Sequence, residues 1–156
     1  MEFRQIGTIH SEFREASGTP IQPGAGRGAK GRIIVLEKFA EGLTDLEGFE
    51  RIWIIYHFDR SCEHRLKVKP YLDDVERGLF ATRAPCRPNP IGMSCVKLLG
   101  IERNVLEIED VDILDGTPLL DIKPYAPKFD HFDVKRSGWL DNVKLKNNKA
   151  DDRFED

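Results

Sequence analysis

The sequence predicts a mainly β fold, a barrel or a sandwich, on three observations. Short runs rich in β-branched and aromatic residues recur along the chain, and clusters of Pro, Gly and Asp separate them. No run of about 12 or more residues sustains a helical period, which excludes a doubly wound α/β architecture. In chain order, the first strand candidate is Phe3 to His10, followed by Arg32 to Phe39. Leu43, Leu46 and Phe49 then fall at i, i+3, i+6 behind a possible cap at Thr44 or Asp45, so one short helical interruption is expected there. Arg51-Ile52-Trp53-Ile54-Ile55-Tyr56-His57-Phe58 is nearly continuous apolar, as a strand buried on both faces would be. Leu79 to Thr82, Ser94 to Ile101, Val105 to Ile108 and Leu119 to Tyr125 complete the β-like runs. Asp115-Gly116-Thr117-Pro118 is a turn with a mechanism: Asp accepts local N–H bonds, Gly allows φ > 0, and the chain returns into a last strand.

With 156 residues, 40% hydrophobic and 33% charged, the chain is the size of one globular domain with a real core. Its longest apolar runs, Ile33 to Leu36 and Ile52 to Tyr56, fall far short of the roughly 20 residues that span a bilayer. The start, Met-Glu-Phe-Arg-Gln, has neither the basic nor the apolar part of a signal peptide, so the expected location is the cytoplasm, with no membrane partner. Cys62, Cys86 and Cys95 form no Cys-x-x-Cys pair, and reduced thiols are the expectation. The formal net charge of −3 argues against overall basicity. The distribution says more: Arg60 to Arg103 holds nine Lys/Arg against five Asp/Glu, and Arg14 to Arg32 four against one. A basic face on an acidic protein suits a polyanionic partner. Residues 131–156 are polar and read as a solvated tail or a peripheral segment.

Gly26-Arg27-Gly28-Ala29-Lys30-Gly31 matches G-x-G-x-x-G, but Pro20 and Pro23 precede it and a β-like run follows. The dinucleotide mechanism needs a strand before and a helix after, so a surface loop is the better reading. His10, His57, His64 and His131 show no metal-ligand spacing, and no metal is expected. The most informative stretch is Gly78 to Ser94. Pro85, Pro88 and Pro90 fix φ and withhold three N–H donors, which makes a stiff loop. That loop carries Arg83, Arg87 and Asn89, planar groups suited to phosphate, carboxylate or base edges. Asp112 and Asp115, near a strand end, are placed to meet ammonium or hydroxyl donors of a ligand.

Together these segments resemble one family. Thr19-Pro20-Ile21-Gln22-Pro23-Gly24, Gly48-Phe49 with Trp53-Ile54, Gly78-Leu79-Phe80-Ala81-Thr82-Arg83, Arg87-Pro88-Asn89-Pro90-Ile91-Gly92-Met93-Ser94, and Leu114-Asp115-Gly116-Thr117-Pro118 with Asp121-Ile122-Lys123-Pro124-Tyr125 look like the TsaA/TrmO family. The resemblance runs from about Ile6 to Tyr125. It implies an S-adenosylmethionine-dependent tRNA methyltransferase that methylates N6 of the threonylcarbamoyladenosine just 3′ of the anticodon. It also implies a small β-barrel over residues 1–130, not a Rossmann fold, and a homodimer with the cofactor near the subunit interface. Carried over by motif, Gln22, Pro23 and Gly24 approach the cofactor; Phe58, Asp59, Arg83 and Met93 line its pocket; and the turn Asp112, Leu114, Asp115, Gly116, Thr117 closes over it. Arg87, Asn89 and Tyr125 are the substrate-side candidates, Arg87 as a bidentate partner for the threonyl carboxylate. Arg65, Lys67 and Lys69 are further phosphate contacts. No metal is implied. The poorly nucleophilic acceptor nitrogen calls for a general base, for which Tyr125 and an aspartate of the turn are candidates. The rival reading is a barrel that binds S-adenosylmethionine or RNA without transferring methyl; a hydrolase using a metal on His57 and His64 is the third.

Overall fold

The computed structural model describes residues 2–21, 27–143, 149–151, 153 and 154. Its strands are β1 (Gly7–Ser11), β2 (Lys30–Val35), β3 (Arg51–His57), β4 (Lys67–Val68), β5 (Arg77–Gly78), β6 (Ile91–Glu102), β7 (Val105–Glu109) and β8 (Thr117–Pro124). Six of them close an antiparallel barrel in the order β1-β2-β7-β6-β3-β8, and β4 and β5 pair outside it. The barrel predicted by the resemblance is therefore the architecture, and closure removes every strand edge from the main sheet.

Alternation builds the wall. Along β3, Ile52, Ile54 and Tyr56 are buried while Trp53 and Ile55 are half-exposed, so the strand expected to be covered on both faces has one inner and one outer face. Its continuous apolar look arises because the outer face also carries large side chains; Trp53 packs on Tyr125 with ring centroids 5.9 Å apart. Ile9, Ile33, Val35, Val96, Leu98, Leu106, Ile108 and Leu119 fill the rest of the barrel, each on the inward parity of its strand. Leu43 and Leu46 join this core from short 3-10 turns (Glu37–Leu43 and Leu46–Gly48) at the end where β3 begins. No side-chain cap forms there: Asp45 takes φ 66° instead, and the Thr44 hydroxyl donates back to the Glu41 carbonyl at 2.8 Å.

Three other expectations change. The second strand ends at Val35 rather than Phe39, where the first 3-10 turn takes over. Leu79–Ala81 is a 3-10 turn, not a strand, because the prolines that follow leave no ladder for it to join. Cys62 and Cys86, expected as reduced thiols, form a disulfide; their Cα atoms lie 5.2 Å apart, within the range that a bridge requires. The bridge is central to a second apolar cluster with Val68, Leu79, Ala84 and Phe154, against which Tyr71 packs. Phe154 is 5% exposed and docks on this cluster, whereas residues 131–138 and 140–142 are exposed. Among the described residues no helix is long and apolar enough to cross a membrane.

Candidate functional site

One end of the barrel is where β3 and β1 finish and β6 and β8 start. The satellite cluster stands beside that mouth, and the space between them is a groove of about 1260 Å³. Phe58, Asp59, Arg83, Met93, Asp112, Leu114 and Thr117, which the sequence nominated for a cofactor, all line it, as does the substrate candidate Arg87. They come from four separate stretches of chain, brought together only by the closure of the barrel.

Local physics fixes each wall. Gly92 has to be glycine: a Cβ there would run into the Tyr56 ring and come within 2.8 Å of Phe58 Cζ. Its absence lets those two rings meet edge to face at 5.3 Å and form the floor. Beyond β3, Arg60 ties the strand end to the 115–117 turn, donating to the Asp115 carbonyl at 2.7 Å, with its Nε 3.6 Å from Asp59. The turn is held again from β1: Asp115 Oδ1 accepts from the Ser11 backbone N–H at 3.2 Å and lies 3.1 Å from His10 Nδ1. Those bonds keep the Asp115 carboxyl below its ordinary range, against the opposing effect of desolvation. Gly116 completes the turn at φ 81°, and Thr117 Oγ1 donates to the Leu114 carbonyl at 2.8 Å. Asp115 and Gly116 are thus framework of the turn and do not line the groove.

The opposite wall is the proline-stiffened loop. Arg87 donates through Nη1 to the carbonyls of Thr82 at 3.1 Å and Ala84 at 3.3 Å, and its guanidinium stands 5.6 Å from the Phe80 ring centre. Part of its donor set is therefore spent on bracing its own loop. Phe80 itself is 76% exposed. Behind this loop, Trp139 Nε1 donates to the Ala81 carbonyl at 2.8 Å, and Trp139, Leu140 and Phe154 close the groove from the C-terminal side.

Asp112 lies between these walls. The Ser94 hydroxyl donates to its Oδ1 at 2.7 Å, and Tyr56 Oη is 3.2 Å from Ser94 Oγ. Burial pushes the Asp112 carboxyl up to about 6, and the Ser94 bond and the nearby Arg83 charge resist that rise.

The structure leaves some candidates apart. Tyr125 follows β8 at the opposite end of the barrel, and Asn89 is not among the lining residues. Gln22, Pro23 and Gly24 lie outside the described residues; Pro20 and Ile21, just before them, line the groove. Sequence reasoning missed Tyr56, Ser94, Arg60, Phe80 and Trp139. Ser94 carried a usable signal: it holds an inward position of β6, between Gly92 and Val96, where a hydroxyl must find a partner.

Comparison with known proteins agrees with this geometry. A "Probable S-adenosyl-L-methionine-binding protein" of Pyrococcus abyssi is 52% identical over 154 residues, covering 97% of this chain and 84% of the relative. The "tRNA (adenine(37)-N6)-methyltransferase" of Escherichia coli is 38% identical over 136 residues, 81% of this chain but 58% of that enzyme. The crystal structure of TrmO from Pseudomonas aeruginosa superposes with a TM-score of 0.75 at 37% identity, over 89% of this chain and 62% of that one. The chain therefore spans about three fifths of those two longer proteins. The family model described as the tRNA-methyltransferase O N-terminal domain matches residues 8–131, and the chain belongs to that family.

Proposed function

We propose that the protein is an S-adenosylmethionine-dependent tRNA methyltransferase acting on N6 of the adenosine beside the anticodon, and specifically on threonylcarbamoyladenosine. The observation that carries this reading is the groove itself. It gathers carboxylates, an aromatic floor and an arginine loop at one barrel mouth, in a chain whose relatives include a tRNA (adenine(37)-N6)-methyltransferase.

The residues fit the donor. A sulfonium carrying an ammonium and a ribose needs negative charge, hydroxyl acceptors and an aromatic face. Asp59 supplies the charge, the Tyr56 and Phe58 rings the face, and Leu114, Ile91 and Met93 apolar surface. Gln22, Pro23, Gly24 and Thr117 complete the proposed donor site, and Asp115 and Gly116 hold the turn that presents Thr117 to it. When bound, S-adenosylmethionine supplies an electrophilic methyl for in-line transfer. The chain's own contribution is alignment: the turn after β7 and the stiff loop hold the two reactants face to face, the main lever in such a displacement. On the substrate side, Arg83 and Arg87 take phosphate or the threonyl carboxylate, Asn89 a base edge, and Arg65, Lys67 and Lys69 more distant phosphates. Tyr125 is far enough from the groove that a substrate role for it would need a second subunit. The reading includes a cytoplasmic location and a homodimer, the latter supported by Met93 and Leu99, 50% and 45% exposed on the outer face of β6. It also divides the chain into a barrel domain over 1–130 and a peripheral segment over 131–156.

The test uses methyl-labelled S-adenosylmethionine and two preparations of one threonine-decoding tRNA, with and without the threonylcarbamoyl group. Label should enter only the carbamoylated tRNA. Donor binding without label in either preparation would turn the protein into a binding module.

A further inference from the structure

Tyr56, Ser94 and Asp112 form a directed chain. Ser94 and Tyr56 are 2% and 5% exposed, on the inner faces of β6 and β3, so the barrel wall locks both side chains. A serine hydroxyl has a single proton, and here Ser94 donates it to Asp112 Oδ1 at 2.7 Å. The Tyr56 hydroxyl, 3.2 Å away, must then be the donor to Ser94 Oγ. Two neutral hydroxyls thus point their protons in sequence at one carboxylate, and that carboxylate lines the groove. The charged and titratable groups that face Asp112 are Tyr56 from β3 and Arg83 from the loop after β5; β6 presents only uncharged Ser94.

This arrangement suits a proton acceptor better than a plain counter-ion. A carboxylate meant only to pair with a cation gains from staying a strong acid, as Asp110 does beside Arg51. Asp112 is instead half-buried at the groove, with Oδ1 held by a serine that is itself buried in the barrel wall. The acceptor nitrogen in the reading above is flanked by a purine and a carbonyl, so it needs its N–H removed as it attacks.

We propose, resting on the methyltransferase reading above, that Asp112 is the base of the reaction, taking the N–H proton of the acceptor nitrogen, with Ser94 and Tyr56 as positioning residues. The N–H bond breaks toward an Asp112 carboxylate oxygen. The nitrogen's electron pair forms the new N–C bond, the C–S pair leaves with sulfur as a neutral thioether, and the protonated Asp112 returns its proton to water. Charge balances: one sulfonium and one N–H give one thioether, one N–CH₃ and one proton. With its carboxyl near 6, Asp112 is ionised at neutral pH yet still basic enough to act.

The full chain is compared with Asp112→Asn and Ser94→Ala, reading single-turnover methyl transfer to carbamoylated tRNA from pH 5 to 9 and donor affinity by calorimetry. Carbon-detected NMR follows the Asp112 carboxyl in the free protein. Asp112→Asn should lose about 100-fold or more in transfer rate while holding donor affinity within about threefold. Ser94→Ala removes a bond that favours the ionised form, so the acid limb of its rate profile and the Asp112 titration should both move to higher pH. An Asp112→Asn enzyme with weakened donor affinity and an unchanged rate at saturation would make Asp112 a donor ligand and overturn the proposal. So would a Ser94→Ala profile that does not move, the readout that still decides if Asp112→Asn fails to fold. A wild-type protein that methylates no tRNA sinks the parent reading, and this inference with it.

Discussion

Asp112 is expected to cost the fold what it gives the site. Its carboxyl has an ordinary value of 3.8 and is raised by burial to about 6, so folding favours the neutral acid. The sign follows: the contribution of Asp112 is fully present below pH 3.8 and is lost as pH rises through about 6. At pH 7.5, Asp112→Asn, which keeps an acceptor for Ser94 without the charge, should be the more stable protein by on the order of 3 kcal/mol. Asp110 and Asp115 behave in the opposite sense, held low by hydrogen bonds and by their basic neighbours Arg51 and His10, so they lose stability as pH falls. Both are present in either protein and cancel in the difference. Urea unfolding of wild type and variant at pH 4 and pH 7.5 should show a gap that closes at the acid end. A gap of constant size would mean that Asp112 is not a strained ion.

The Cys62–Cys86 bridge does for the proline loop what strand pairing does for the barrel. Between them run β4, β5, the 3-10 turn with Phe80, and Arg83 just after it, a stretch with only a two-residue ladder of its own. With a sequence separation of 24, closing that loop covalently should contribute about 3 kcal/mol through the unfolded chain. Cys86→Ser should lower the unfolding midpoint accordingly, and reductant should lower the wild type to match. Equal midpoints for oxidised wild type and variant would show that packing around Leu79 suffices. This element also marks what the sequence could disclose. The barrel strands were legible because alternation and turn chemistry are local: Val105 to Ile108 alternates, and Asp115-Gly116-Thr117-Pro118 can do little but turn. Most of the groove was legible through its motif blocks. A cysteine pair joined across an irregular loop leaves no local trace, and neither does the two-faced character of β3, which depends on what covers Trp53. Tyr125 looked equivalent to its neighbours in the motif, but β8 runs the length of the barrel and carries it to the far end.

Among the described residues the barrel core contains none beyond Leu119, with Ile122 partly buried against it, whereas the satellite cluster recruits Phe154 from the C-terminal region. The molecule is therefore two unequal bodies of apolar contact that share a groove, and the smaller one is completed by Phe154. Phe154 meets Tyr71 edge to face at 5.0 Å, and Arg153 reaches from the same turn to the Pro70 carbonyl at 2.7 Å. Trp139 fastens the segment to the loop through Ala81. Removing one buried aromatic ring typically costs about 3–5 kcal/mol, a loss that falls here on the satellite and leaves the barrel's own contacts intact. Phe154→Ala should accordingly keep the far-UV signature of the barrel and its main unfolding transition, yet speed amide exchange across the 79–87 loop. Donor affinity by calorimetry should drop about tenfold, because a groove wall that samples open positions must be ordered on binding. If exchange accelerates while affinity holds, the C-terminal segment steadies the loop without shaping the donor site, and the wall that matters is the one built from β3, β6 and the 112–117 turn.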